Sequence, residues 1–368
     1  MVETGKISSL QMGMAVYPVL MSTAMLFGPS IMAKQASNDL WLSPIWASLI
    51  GFLSVYIVHR LHERFPQKTI IEQSELILGK TIGKLIGFFY FWFLLQINGY
   101  IVREYADFIA IFLVNTPLSV ISAVLVLVCA LAVGGGIEVV VRSAQFFFPF
   151  FLIPLLLMIV LVFPDMEPQN IFPILGNGVW PSLKGSITPQ GWFSEVFLIS
   201  YLLPFLVDKN KGRRAGMITV GLVMITMIVV NLVIYFLMGD ATSRILFPVM
   251  DTARYVSIAD FFENLESGVM AIWVIGAFVK VSLFYYATVL GAAQSLNLSS
   301  YRPLVIPVGF LTVLFSFWGL PTFAAVGDLS LFVIPMSLVV FFCLVPAVLL
   351  LISTKKKSSS ASKGVRSG

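Results

Sequence analysis

Long apolar stretches separated by short polar ones run through nearly the whole chain. A helix needs about 20 mainly apolar residues to cross the hydrocarbon of a bilayer. Ten stretches meet that demand: 9–33, 41–58, 82–113, 118–133, 142–163, 191–207, 215–238, 266–290, 302–318 and 328–352. Two of them carry proline where a straight helix has no use for it. The first contains Met21-Ser22-Thr23-Ala24-Met25-Leu26-Phe27-Gly28-Pro29-Ser30. Pro29 has no N–H for the Met25 carbonyl, and its ring clashes with that carbonyl. In hydrocarbon an unpaired carbonyl is costly, so a break survives only where protein, water or ligand satisfies it. The pattern therefore predicts a broken first helix, with Ser22, Thr23, Ala24, Met25 and Gly28 at the break near the middle of the membrane.

The sixth stretch repeats the feature. Pro204, in Ile199-Ser200-Tyr201-Leu202-Leu203-Pro204, frees the carbonyl of Ser200. Interruptions at positions one and six of ten predict an all-α integral membrane protein of two five-helix halves, 9–163 and 191–352, with opposite membrane orientation. Two unrelated proline kinks are the alternative. Residues 1–8 form a short lead. Residues 164–190, rich in Pro, Gly and Asn, are expected to be an irregular loop, and the Ser- and Lys-rich residues 353–368 a disordered tail. Shorter helices are expected at 70–78 and, lying on the membrane interface, at 255–265.

Composition agrees with this class. Of the 368 residues 58% are hydrophobic and 11% charged, with a mean hydropathy of +0.96, against roughly 25% charged residues in soluble domains. The first apolar stretch is too long for a signal-peptide core and has no small-residue cleavage site, so it is expected to be retained. Cys129 and Cys343 lie inside apolar stretches and form no disulfide pattern. Orientation follows from the basic residues. With the N-terminus inside, Lys6, the loops 59–81 and 208–214, Lys84, Arg142, Arg302 and the tail place seventeen Lys and Arg on the cytoplasmic side; Lys34, Lys184, Arg244 and Arg254 lie on the other. That bias predicts both termini to be cytoplasmic. The net charge of +5 reflects this placement and not a nucleic-acid surface.

Few residues carry candidate chemistry. Lys280 is expected about 18 Å below the outer end of span eight, close to the midplane. A lysine there costs about 2.5–3.5 kcal/mol unless paired or hydrated. It suits a ligand carboxylate, an acidic side chain or a titrating site, or else a structural lysine bonded to helix carbonyls. Glu195 falls in the first turn of span six, where the helix dipole favours its charge. It is either an interfacial carboxylate or part of a ligand entrance. Gln96 and Asn98 fall near the middle of span three, bonded to a neighbouring helix or lining a cavity. Arg103 and Asp107 are expected to pair at i,i+4 where that helix leaves the membrane. Ser200, Tyr201, Ile199 and Phe284 join the candidate lining, although so apolar a chain offers many equivalent packing residues. His59, His62 and Glu63 share a charged edge and are not expected to hold a metal. No phosphate loop surrounds Gly134-Gly135-Gly136, which reads as a short turn. No catalytic triad or cofactor motif is present, so neither an enzyme nor a cofactor is expected.

Several motifs in order resemble a known family: Lys6-Ile7-Ser8-Ser9-Leu10-Gln11, Leu26-Phe27-Gly28-Pro29-Ser30, Trp192-Phe193-Ser194-Glu195, and the basic run 209–214. Across 6–352 the chain resembles the B subunits of spore germinant receptors, which are similar to amino acid–polyamine–organocation transporters. It departs from that pattern in Ser194, where Gly is frequent, and in Ser22-Thr23-Ala24, where a Gly-rich break is usual. The resemblance implies a LeuT-like fold in a spore inner membrane and a small nutrient ligand, an amino acid by preference. It also implies A-type and C-type partner subunits. Secondary transport of amino acids or polyamines is the alternative.

The topology is testable by cysteine labelling in intact cells, with Cys129 and Cys343 replaced by Ser. A cysteine at Lys211 is expected to stay unlabelled from outside while one at Lys184 reacts. Labelling at Lys211 would reverse the assignment.

Overall fold

The computed structural model describes residues 3–255, 265–318, 320 and 322–365. A reciprocal cap starts the first helix. The Ser8 N–H donates to Gln11 Oε1 (2.9 Å) and the Gln11 N–H to Ser8 Oγ (3.2 Å), which satisfies two otherwise unpaired amides. From there α1 runs Ser9–Ala36 and passes through a 3-10 turn, Ser37–Leu42, into α2, Ser43–Arg64. The short helix α3, Ile70–Leu78, turns at Gly79 into α4, Lys80–Ala110. A second turn, at Gly136, joins α5, Leu118–Gly135, to α6, Ile137–Val162. Gly79 (φ 88°) and Gly136 (φ 101°) both occupy left-handed backbone that side chains rarely adopt, so these turns are tight.

The second half begins with α7, Trp180–Gly185, and α8, Ile187–Ser194. It continues through α9, Gly212–Met238; α10, Pro248–Tyr255; α11, Leu265–Ser295; and α12, Arg302–Phe315. α13, Phe323–Leu331, and α14, Val333–Val339, lead through a π-helical turn, Val340–Leu344, into α15, Val345–Val365. Each of the ten expected spans falls on helix. Among the described residues seven helical stretches are long and apolar enough to cross a membrane, the first of which, Ser9–Arg64, contains both α1 and α2. α12 is shorter, and span six is not a regular α-helix.

The two expected interruptions turn out differently. α1 is helical throughout, with Pro18 and Pro29 inside it, so the break expected at Gly28-Pro29 is absent. A proline removes one ladder bond, and packing on every side of α1 keeps the remainder of the helix intact. Gly28 serves that packing: a Cβ there would lie 3.3 Å from the Trp192 ring of α8. Span six does change its winding, and earlier than Pro204 suggests. α8 passes at Glu195 into a 3-10 segment, Glu195–Tyr201, and a second one, Leu203–Phe205, follows.

Other differences are local. The loop 164–190 holds two 3-10 turns and α7, and span six starts at Ile187. Helix continues past Lys355 to Val365, where the composition suggests a disordered tail. Nothing before Gly364 is a strong helix breaker. The interface helix expected at 255–265 lies almost entirely outside the described residues.

α1 forms the axis of the bundle. It packs on α6, α8, α9, α10 and α11, while α11 in turn packs on α4, α5 and α6. Apolar side chains of α5 and α6 such as Leu131 and Val160 point outward, as membrane-facing residues do. One end of the bundle is strapped by the N-terminal residues. The Ile7 N–H donates to the Phe205 carbonyl (3.0 Å), and the Val207 N–H donates back to Ile7 (2.9 Å). Glu3 Oε2 accepts from the Ile137 N–H (3.1 Å) and the Tyr301 hydroxyl (3.2 Å). Asp208 accepts from the N–H and hydroxyl of Ser9, at 2.7 and 2.5 Å. Burial raises the Asp208 carboxyl pKa, but those bonds outweigh it and leave it below the usual range.

Because that pKa is depressed, the Asp208 tie is complete above the ordinary aspartate range and is lost only as pH falls through the lowered value. Hydrogen bonds to a charged acceptor contribute about 1.5–3 kcal/mol, so Asp208→Asn is expected to speed amide exchange at Ile7 and Ser9 about tenfold or more at neutral pH. Exchange measured by mass spectrometry checks this, and unchanged protection would show that Asp208 does not hold the strap.

Candidate functional site

The centre of the bundle holds a buried ion pair. Lys280 Nζ of α11 donates to Glu195 Oε2 at 2.7 Å, and the two side chains are 1% and 2% exposed. Glu195 reaches this depth for two reasons. Span six starts earlier than expected, so Glu195 lies about 12 Å along it. It also stands where α-helix gives way to 3-10 winding. Of the readings open for Lys280, the structure selects the acidic side chain. Glu195 is accordingly neither interfacial nor free.

A second carboxylate joins the pair. Glu104 of α4 is 3% exposed and accepts from the Tyr100 hydroxyl at 3.0 Å. Lys280 acts electrostatically on both Glu104 and Glu195. With both carboxylates ionised, the three groups carry one net negative charge. Tyr100 also contacts Ser330 of α13. Ser330 lies in the floor of a hollow of about 200 Å³ that α1 and α13 border. A hydroxyl chain thus links an outer hollow to the buried charges.

Beside the pair, the hydroxyls of Ser22 and Thr23 on α1 face the Tyr105 hydroxyl of α4, and Ser282 on α11 faces Cys129. Among the described residues, buried side-chain polar atoms without a protein hydrogen-bond partner include the Ser200 hydroxyl on span six. Trp273 Nε1 and both amide atoms of Asn98 belong to the same set. α1 and α11 meet closely at Ser22: a Cβ on Gly276 would sit 2.5 Å from the Ser22 Cβ. Trp273, Gly276, Lys280 and Phe284 follow each other at three- and four-residue steps and so share one face of α11. Asn98 and Tyr105, two turns apart, share a face of α4.

Other candidates are placed elsewhere. Tyr201 has its hydroxyl beside Gly291, where a Cβ would be 3.5 Å away. That position is about 16 Å along α11 from Lys280, outside the layer of the ion pair. Phe284 packs on Phe342, which stacks on Phe197 at 4.7 Å. Ile199 faces α9, 3.6 Å from where a Cβ on Gly216 would lie. Gln96 is exposed on the outside of the bundle, in a groove with Phe315 and Ser337. Ala24 and Met25 are buried in the core. Arg103 and Asp107 do pair (2.9 Å), but they are buried, and Arg103 also donates to the Leu320 carbonyl at 2.8 Å. His59 pairs with Glu63 (3.4 Å), and among the described residues no group of three or more ligands could hold a metal.

Glu104, Tyr105 and Trp273 are functional candidates the sequence reading passes over. Glu104 sits between Arg103 and Asp107 but not on their i,i+4 face, which was the available signal. The face shared with Lys280 marks Trp273 in the same way.

Helix order, the irregular span six and this central layer define a multi-pass membrane protein of the LeuT-like fold. The fold is similar to that of two solved structures. One is MhsT in complex with L-phenylalanine, with a TM-score of 0.65, 13% identity, and coverage of 95% of this chain and 89% of that one. The other is a Na+-coupled sialic acid symporter, with a TM-score of 0.66, 12% identity and coverage of 92% and 79%. The chain belongs to the spore germination protein family, whose model matches residues 6–324. It is 28% identical to spore germination protein KB of Bacillus subtilis (strain 168), over 83% of each chain. It is 26% identical to spore germination protein YndE of the same organism, over 85% of this chain and 86% of that one.

Removing one member of a buried pair strands the other, at a cost of roughly 3–5 kcal/mol, whereas removing both charges is close to neutral. Lys280→Met is therefore expected to lower the thermal midpoint of the purified protein clearly, and Lys280→Met with Glu195→Gln to recover most of it. Midpoints read from tryptophan fluorescence test the coupling. Additive losses in the double variant would mean that the two residues act independently.

Proposed function

We propose that this chain is the membrane-embedded nutrient-sensing subunit of a spore germinant receptor. It binds a small nutrient of the amino-acid class at the midplane, between spans one, three, six and eight. The observation that carries the reading is the buried cluster of Lys280, Glu195 and Glu104 with the Ser22, Thr23 and Tyr105 hydroxyls beside it. Charged and polar groups are costly to keep in an apolar core, and a layer of them suits completion by a ligand. Two carboxyls beside a single ammonium offer acceptor oxygens to the ammonium end of an amino acid. The Ser22, Thr23 and Tyr105 hydroxyls suit its carboxylate. Kinship with spore germination proteins supports the sensing role, and the shared fold with MhsT bound to L-phenylalanine supports the ligand class.

Binding shifts the balance between arrangements of the bundle by as much as the ligand favours one of them. A-type and C-type subunits in the spore inner membrane read that shift, with both termini of this chain on the cytoplasmic side. A second reading is secondary transport of amino acids or polyamines through the same site, favoured by the fold shared with a Na+-coupled symporter.

Ser22→Ala with Thr23→Val removes two hydroxyls that face Tyr105 and strands no charge, so the protein level is expected to hold. If those hydroxyls bind ligand, spores carrying the variant need about tenfold or more of the nutrient amino acid to germinate. An unchanged dose–response curve at equal protein level would sink the assignment of the site. Uptake of labelled amino acid by the purified chain alone in vesicles would replace the sensor with the transporter.

A further inference from the structure

A groove of about 450 Å³ opens on the outside of the bundle, between α1, α6 and α9. Leu10, Met14 and Tyr17 of α1 form one wall, Ile218 and Leu222 of α9 the other, and Phe148 of α6 the back. Leu10 is 63% exposed and Ile218 50%, so the groove faces the surroundings of the bundle and is not part of its core. Its lining is apolar except at one end, which Lys211 and Arg214 approach where α9 begins. Both basic side chains are exposed. Among the described residues neither is engaged in a salt bridge; the nearby Asp208 accepts from Ser9 and attracts Lys211 only through space.

The shape and charge narrow the occupant. From Leu10 to Tyr17, α1 rises about 10 Å, most of the depth of one bilayer leaflet. A helix with side chains is about 10–12 Å across, so that length of helix would need roughly twice the groove's volume. A single acyl chain fits. Two exposed cations at the polar end of an apolar groove, neither held in a salt bridge among the described residues, complement a phosphate attached to such a chain. We propose that this groove binds an anionic phospholipid of the surrounding bilayer. Its phosphate lies at Lys211 and Arg214 and its acyl chain along α1. The lipid bridges α1 and α9 beside the segment that Ile7 and Ser9 tie to 205–208. Bilayer charge thereby acts on the helix that carries Ser22 and Thr23.

The test uses the purified full chain, with phosphatidylglycerol or phosphatidylcholine of identical acyl chains as probes. Native mass spectrometry reads retained lipid, and tryptophan fluorescence reads the thermal midpoint. Two basic contacts predict a preference for phosphatidylglycerol on the order of tenfold to thirtyfold, with a higher midpoint than in phosphatidylcholine. Lys211→Gln with Arg214→Gln should abolish the preference. Ile218→Trp fills the groove, keeps both charges and should expel the lipid. Lys209→Gln with Arg213→Gln, at the same end but outside the groove, should leave the preference intact. Equal retention of the two lipids by the unaltered chain would overturn the proposal. So would equal loss from the 209/213 variant, an equal midpoint rise from inorganic phosphate alone, or a second copy of the chain displaced by Ile218→Trp.

Discussion

The Lys280–Glu195 pair is the constraint to which the centre of this protein answers. An ammonium so deep in hydrocarbon is tolerated only with a partner, and that partner must itself be brought out of water. Span six supplies it by carrying Glu195 well below its own start, to the point where its winding tightens. Glu104 then adds a second buried carboxyl to the cluster, and Tyr100 donates its hydroxyl to it. A fully neutral core would be simpler to bury. The retained charges, and the hydroxyls beside them, are why the proposed ligand site is placed in this layer.

Contacts lie on either side of that layer. On one side the Tyr100–Ser330 contact lies beneath a small hollow. On the other, the residues ahead of α1 are hydrogen-bonded across the ends of spans five, six and nine. α1 connects the two sets of contacts. It is continuous from Ser9 to Ala36, so a displacement at its strapped end moves Ser22 and Thr23 with it. A helix broken at Gly28-Pro29 would let its two parts move separately. The continuous form couples them.

Much of the fold was legible in the chain because the bilayer imposes it. Ten apolar stretches, their separation by polar loops and the anomaly in span six follow from hydrocarbon thickness and backbone hydrogen bonding. These demands act on each stretch separately. Proline was a less certain guide. Pro29 sits in a helix that its neighbours hold straight, while the change of winding in span six begins nine residues before Pro204. A proline states which bond is lost, and the surrounding packing decides whether the helix ends.

The sequence by itself determined that Lys280 is buried in a membrane and needs a partner, since depth along a helix follows from residue count. It also marked Ser22, Thr23, Asn98 and Glu195 as polar groups within apolar spans. Only the tertiary structure decided which of them meet. It brought Glu195 to Lys280, added Glu104 and Tyr105, and turned Gln96 outward and Ile199 toward α9. The reason is rotational. A few residues of change in where a helix starts, or a shift from 3.6 to three residues per turn, redirects every side chain beyond it. Hydrophobic length is blind to that angle, and the packing of one helix against the next is what fixes it.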